Sequence, residues 1–488
     1  MKICLIAEGS YPYVTGGVSS WIHSLMTAMP TTEFIIIAIA AERKQQGQFK
    51  YTLPENLIQV HEIFLDAHLE EHSKWGKRFN LSDAQKQNLF ALVSGDQQVN
   101  WERLFEDIRN LPIQNVGEFL SSKDYYDMIE HLAKTNYSQV PYTELFWTVS
   151  SMILPLFLII RGDVPKADLY HAVSTGYAGV IGALAKVIHQ KPLLLTEHGI
   201  YSREREEEII KANWVHGYFK DLWINYFYTL SSAIYSLADE VITLFDRNMQ
   251  IQIELGCDPQ KIRVIPNGVD VADFASISRT LPEDKIRIGA IVRVVPIKDI
   301  KMMLQMFALV ERKLPNVELH IMGPFEEDLE YYEECLQLAE TLHIKNAYFT
   351  GMVQIKDYLG NLDLLVLTSI SEGQPLAILE GFACAIPFVC TNVGGCRELI
   401  EGTNDVFGPA GAIVPVMHYE EMAGQVIKLC EDGNLRKTYG QNGYERVAHL
   451  YTRSSFINSY KAIYAQCGGN TAWQESASNY ESFTENKA

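Results

Sequence analysis

Residues 368–387 read TSISEGQPLAILEGFACAIP. The six residues before them, 362–367, form a short, mostly apolar run of the kind a buried parallel strand shows. The order is therefore strand, polar loop, helix start with Pro375 in the first turn. An open α/β sheet builds an anion site in this way, at the carboxyl ends of its strands. N–H groups at Gln374, Leu376 and Ala377 would face a phosphate, and the helix dipole would favour its charge. Glu372 and Glu380 stand eight residues apart. At ~1.5 Å per helical residue their carboxylates lie roughly 10–12 Å apart, about the span from a ribose to a sugar beyond a diphosphate. On spacing alone the plainer reading, a solvated Glu372 and a Glu380 on a helix surface, holds its ground. The rest of the chain has to decide.

A chain of 488 residues is too long for one ordinary core, so two α/β domains are expected. Hydrophobic residues at 47% and charged ones at 21% are those of a soluble globular protein. The formal net charge of −19 supplies no positive field over the surface, which argues against nucleic-acid partners. Any anion must be held by a local pocket. Cys384, Cys390 and Cys396 stand six apart, but no CxxC pair and no nearby histidine completes a zinc site. Free thiols suit a reducing cytosol. The one membrane-like stretch, 145–160, is shorter than the ~20 apolar residues of a spanning helix and contains Pro155. It reads as a buried or partner-facing helix, and the chain as soluble.

Strands are expected at 2–7, 33–40, 167–172, 192–197, 240–244 and 263–266. A second series is expected at 285–292, 317–322, 347–350, 362–367, 387–390 and 412–414, with helices between. The two series are joined by a polar linker over 270–284. Between the second and third strands, residues 42–165 break the rhythm and read as a helical, aromatic-bearing insertion. The loop YPYVTGGVSSW puts Gly16 and Gly17 directly before a helix, where a backbone can approach a ligand closely; an ordinary helix-entry turn fits equally well. His198 follows the strand 192–197 in a polar run with Glu197, Gly199, Arg203 and Arg205. Arg293 and Lys298, five apart after the strand 285–292, are placed to hold a diphosphate or are two solvated cations.

Taken in order, SEGQPLAILE, RVVPIK, IPNGVD, the double-glycine loop and TNVGG resemble the family-4 retaining glycosyltransferases of GT-B fold. More narrowly, EGSYPYVTGGVSSWIH, DLYHAVSTGYAGVIGALAK and LTEHGIYSRERE are similar to the PelF subfamily of Pel exopolysaccharide systems. The resemblance implies an α/β chain of two doubly wound Rossmann-like domains facing across a cleft. Residues 1–275 would be the acceptor-side domain with its insertion, with a helix at 449–467 packing back on it. Residues 276–448 would bind the nucleotide sugar, and 468–488 would be a disordered tail.

The family's roles follow by position. Glu380 would take ribose hydroxyls, and Glu372 with Gly373, Gln374, Pro375 and Leu376 would hold the transferred sugar. Arg293 and Lys298 would neutralise the diphosphate, with Gly16 and Gly17 near it. Met352 and Val353 would meet the base, and His198 the anomeric centre. Asn392 departs from the aspartate common in related sequences. The implied reaction is metal-independent transfer from a UDP-sugar to a polysaccharide acceptor, without a cofactor. It would occur in the cytoplasm, with Pel proteins of the inner membrane as partners. The rivals are a catalytically silent sugar-nucleotide-binding subunit of a membrane synthase and another GT-B enzyme such as an epimerase.

Overall fold

Lys2–Glu8 (β1) and Glu33–Ala40 (β2) are near-continuous apolar runs, and both are buried along almost their whole length. Strands covered on both faces need such runs, which is why the chain begins as the centre of a parallel sheet. The computed structural model describes residues 1–66, 76–95, 98–278, 280, 285–403 and 405–468. Five further strands join the first sheet: Leu57–Phe64 (β3), Leu169–Ala172 (β4), Leu193–Glu197 (β5), Glu240–Thr243 (β6) and Ile262–Val264 (β7). All pairings are parallel, in the order β3-β2-β1-β4-β5-β6-β7.

The second sheet holds Ile286–Ile291 (β8), Val317–Met322 (β9), Ala347–Gly351 (β10), Leu364–Leu367 (β11), Phe388–Thr391 (β12) and Gly411–Val414 (β13). It too is parallel, in the order β10-β9-β8-β11-β12-β13. In both sheets the order turns back beside the first strand, between β1 and β4 and between β8 and β11. Such switch points leave a crevice at the strands' carboxyl ends, where ligands of open α/β sheets bind.

Each sheet has its own core and the chain divides into two units. Met1–Thr243, Asn248–Val264 and the chain from Lys461 form the first; Leu244–Arg247 and Ile265–Tyr460 form the second. The C-terminal helix Arg453–Gly468 spans the boundary at Lys461. From residue 469 on, the expected disordered tail lies outside the described residues, as do parts of the 270–284 linker.

The stretch 42–165 is not all helix. Leu57–Phe64 pairs with β2 as an edge strand, and its mostly half-exposed, polar-interrupted sequence LIQVHEIF hides it from a search for buried runs. Helices Asp83–Ser94, Trp101–Arg109, Val116–Leu120, Lys123–Thr135 and Tyr142–Arg161 follow and pack into the first core. The last of these is the one described helix long and apolar enough to cross a membrane, and it buries Val149, Ile153, Leu156, Phe157 and Ile160 against that core. Its terminal Arg161 donates to the carbonyls of Ile108 and Ile113, each at 3.0 Å, which locks the insertion's helices together.

Candidate active site

In the second unit, the loop between β11 and the helix Leu376–Ala383 is held from three directions. Thr368 Oγ1 donates to the Lys298 carbonyl at 2.7 Å, and Ile370 N donates to the Ile297 carbonyl at 2.9 Å. These bonds tie the loop after β11 to the loop after β8, across the switch point. Thr391 Oγ1 donates to the Ser369 carbonyl at 2.6 Å, and Gly395 N donates to the Gly373 carbonyl at 2.9 Å. Gly394 has φ +49, and a Cβ there would meet the Glu372 and Gly373 carbonyl oxygens at 2.1 and 2.3 Å. Only glycine allows so close an approach. From the other side, the buried Gln374 accepts from Asn267 N at 2.6 Å.

This scaffold presents Glu372. Its Oε1 accepts from Lys298 Nζ at 2.5 Å and from Ser369 Oγ at 2.5 Å. The Lys298 and Glu372 side chains are only 17% and 11% exposed, so the pair is largely shielded from water. Pro375 stands just before the helix, one position earlier than its expected place in the first turn, and no side chain caps the helix. Its first N–H groups thus remain available to an anion. Glu380 is the fifth residue of that helix, and burial pushes its carboxyl up to about 7 against the pull of the Lys356 ammonium.

The first unit places a second set of polar groups at its own switch point. Gly16 caps and Gly17 opens the helix Gly17–Thr27, again without a side-chain cap. Nothing lies within 4 Å of a Cβ added to either glycine, so open space surrounds both. Trp21 of this helix meets the His198 ring edge-on, with centroids 4.9 Å apart. Burial pushes His198 down to about 4 and keeps the imidazole neutral. Its neighbour His171, bonded to Tyr464 Oη at 2.7 Å and Thr196 Oγ1 at 2.8 Å, is pushed down to about 3 for the same reason. Ser10 Oγ, Ser174 Oγ, His198 Nε2 and Ser202 Oγ are buried and have no hydrogen-bond partner among the described residues. They lie in or just beyond the loops that follow β1, β4 and β5.

Of the residues singled out from the sequence, Lys298, Glu372, Gly373 and Gln374 are brought together. Arg293 is not part of that cluster. Its Nη1 donates to both Glu327 oxygens, at 2.7 and 2.6 Å, and both side chains are about half exposed. Val353 is half-buried, whereas Met352 is 77% exposed after β10. Asn392 Oδ1 accepts from Arg397 Nε at 3.3 Å. Sequence reasoning missed Ser369, Glu327, His171 and Trp21. Ser369 lay three residues from Glu372 as a signal, but Glu327 reaches Arg293 across 34 residues, which no local pattern reveals.

Residues 1–260 match the family described as Domain of unknown function (DUF3492), and residues 273–446 match Glycosyl transferases group 1. The chain is 31% identical over 131 residues to the N-acetyl-alpha-D-glucosaminyl L-malate synthase of Bacillus anthracis, covering 26% of this chain and about a third (33%) of that protein. It is 25% identical over 308 residues to the capsular polysaccharide biosynthesis glycosyltransferase CapM of Staphylococcus aureus, covering 59% of this chain and 74% of CapM. Among solved structures it resembles Anabaena Alr3699/HepE in complex with UDP, with a TM-score of 0.61 and 16% identity over 96% of this chain and 100% of that one. That likeness shows the fold, which is GT-B: two parallel α/β units of seven and six strands.

Proposed function

From a chain that belongs to the DUF3492 family and whose second half is a glycosyl transferases group 1 domain, we propose a retaining, metal-independent glycosyltransferase. It moves a hexosyl group from a UDP-sugar to a growing exopolysaccharide and is PelF-like in role. The observation that carries the reading is the loop 368–375, which sits at the β8–β11 switch point with a shielded Lys298–Glu372 pair and an uncapped helix behind it. HepE, of the same fold, was crystallised with UDP and with UDP-glucose, and CapM's name gives capsular polysaccharide biosynthesis.

In this reading Glu380 takes the ribose hydroxyls, while Glu372 and the N–H groups of Gly373 to Leu376 take those of the sugar. Met352 and Val353 meet the base through their backbone. As the glycosidic bond breaks, negative charge collects on the leaving diphosphate. Lys298 and the helix N-terminus would take that charge with little reorganisation, and Arg293 would join them by exchanging its half-exposed Glu327 partner for the phosphate. Glu372 is engaged by Lys298 and Ser369, which suits a ligand for hydroxyls rather than a nucleophile. The reaction then runs on one face of the sugar without a covalent intermediate. Within the first unit, Gly16, Gly17, the neutral His198 and the buried hydroxyls without a partner among the described residues suit a polyhydroxyl acceptor. The enzyme works on the cytoplasmic side with inner-membrane Pel proteins as partners.

Purified protein with UDP-glucose, UDP-GlcNAc or UDP-GalNAc tests the proposal through UDP release. One of the three is expected to turn over in the presence of EDTA. Tight UDP binding without turnover would instead identify a silent sugar-nucleotide-binding subunit, and activity that vanishes with EDTA and returns with Mn²⁺ would refute metal independence.

A further inference from the structure

Glu197, the last residue of β5, is 1% exposed and immediately precedes His198. Its two oxygens take four donors from four different elements. Oε1 accepts from Tyr201 N at 3.1 Å and Thr175 Oγ1 at 3.5 Å. Oε2 accepts from Tyr235 Oη at 2.6 Å and Gln252 Nε2 at 2.9 Å. The loop after β4, the helices Tyr201–Lys211 and Gly217–Leu237, and the helix Asp246–Glu254 thus meet on one carboxylate.

A buried carboxylate is costly unless its lone pairs are filled, and here a packed apolar side chain would satisfy none of the four donors. The bond to Tyr201 N closes a ring of five residues, 197–201, around His198. The same group therefore fixes the backbone on both sides of the histidine. A second, half-buried carboxylate, Glu8, accepts from Tyr201 Oη at 2.9 Å and holds the Tyr201 side chain. A Cβ on Gly176 would lie 2.2 Å from the Tyr201 ring, so glycine is what leaves room for this side chain.

We propose that Glu197 is the positioning residue of His198, setting where the imidazole stands for sugar transfer without touching substrate. The inference rests on the functional reading above. Burial pushes the Glu197 carboxyl up to about 7, so desolvation opposes the charged form while the bonds from Gln252, Tyr235 and Tyr201 N favour it.

The decisive variant is Glu197→Gln in the full chain. Its amide nitrogen must face a donor, leaving at least one of the four bonds unmade. We expect UDP affinity by calorimetry and donor KM to stay within about twofold, while kcat falls at least tenfold. A kcat within twofold of wild type overturns the proposal, as does a loss of UDP affinity that parallels the loss of kcat. If this variant does not fold, Gln252→Ala and Thr175→Val each remove one donor and keep the carboxylate. A severalfold lower kcat at unchanged KM is expected for the former, and unchanged kcat in both overturns the idea. Carbon-13 NMR of labelled histidine rings, with His198 assigned by His198→Gln, reads the positioning directly. Moved or multiple His198 resonances are expected in the variants, and unmoved ones refute it. This readout needs no turnover, so a wild type that transfers no sugar would count against the function alone.

Discussion

Replacing Lys298 with methionine and, separately, Arg293 with methionine separates two cations that play one role from two different settings. Lys298 is 2.5 Å from Glu372 in a pair whose side chains are 17% and 11% exposed. Without the ammonium, Glu372 keeps only Ser369 as a donor to Oε1. Breaking a fully buried pair costs ~3–5 kcal/mol, and the residual exposure brings our expectation to about 2–3 kcal/mol. Arg293 and Glu327 are 50% and 52% exposed, and such a pair contributes only ~0–1 kcal/mol. At about 2–4 °C per kcal/mol for a unit of this size, Lys298→Met should lower the melting temperature by about 4–12 °C and Arg293→Met by at most about 4 °C. Towards UDP the two should look alike. Each loses a charge-assisted hydrogen bond of ~1.5–3 kcal/mol, hence about 10- to 150-fold in affinity. Thermal unfolding and calorimetric titration of UDP measure the two effects separately. Equal destabilisation, or unchanged UDP affinity in Lys298→Met, would refute the reasoning.

Other outcomes follow from the same geometry. Burial pushes the Glu380 carboxyl up to about 7, so the ionised form that accepts two ribose hydroxyls gains population as pH rises from 6 to 8. UDP affinity should climb over that range and flatten in Glu380→Gln; a pH-independent wild type would contradict it. Gly394→Ala drives a Cβ to 2.1 Å from the Glu372 carbonyl at φ +49 and should abolish turnover, whereas Gly424→Ala, in open space inside the helix Tyr419–Glu431, should stabilise by ~0.5–1 kcal/mol. Turnover and melting of the two variants provide the check. His171 is neutral when folded, at about 3, and binds a proton near 6.5 when unfolded, so the unfolded state takes up more protons as pH falls below about 6.5. Its stabilising effect is present above that pH and lost towards pH 3. His171→Asn should show a shallower fall in melting temperature between pH 7 and 4 than wild type, and parallel curves would argue against it.

Much of the fold was written in local pattern. The buried strands, from Lys2–Glu8 to Gly411–Val414, are apolar runs that a parallel sheet requires, and they can be read without any partner in view. The edge strand Leu57–Phe64 could not, because an edge keeps polar residues and loses the run. Between β5 and β6 lie two helices, Tyr201–Lys211 and Gly217–Leu237, with Trp214 exposed at the break; apolar periodicity alone does not mark that interruption. At the site, the Glu372 loop was legible because strand, loop and helix are contiguous. What grips it was not. The carbonyl clamp of Gly394 and Gly395, the Asn267–Gln374 bond and the pairing of Lys298 with Glu372 rather than beside Arg293 are all long-range. Likewise, spacing put Arg293 and Lys298 on one loop but gave no hint that Glu327 takes the first.

The central claim is that Glu372 and Glu380, on one loop and the helix it opens, divide the donor between them. Titrating UDP into wild type, Glu380→Ala and Glu372→Ala, with turnover measured alongside, tests it most directly. The account predicts weakened UDP binding in Glu380→Ala, and in Glu372→Ala lost turnover with UDP binding kept. Equal losses of UDP affinity in both variants would contradict it.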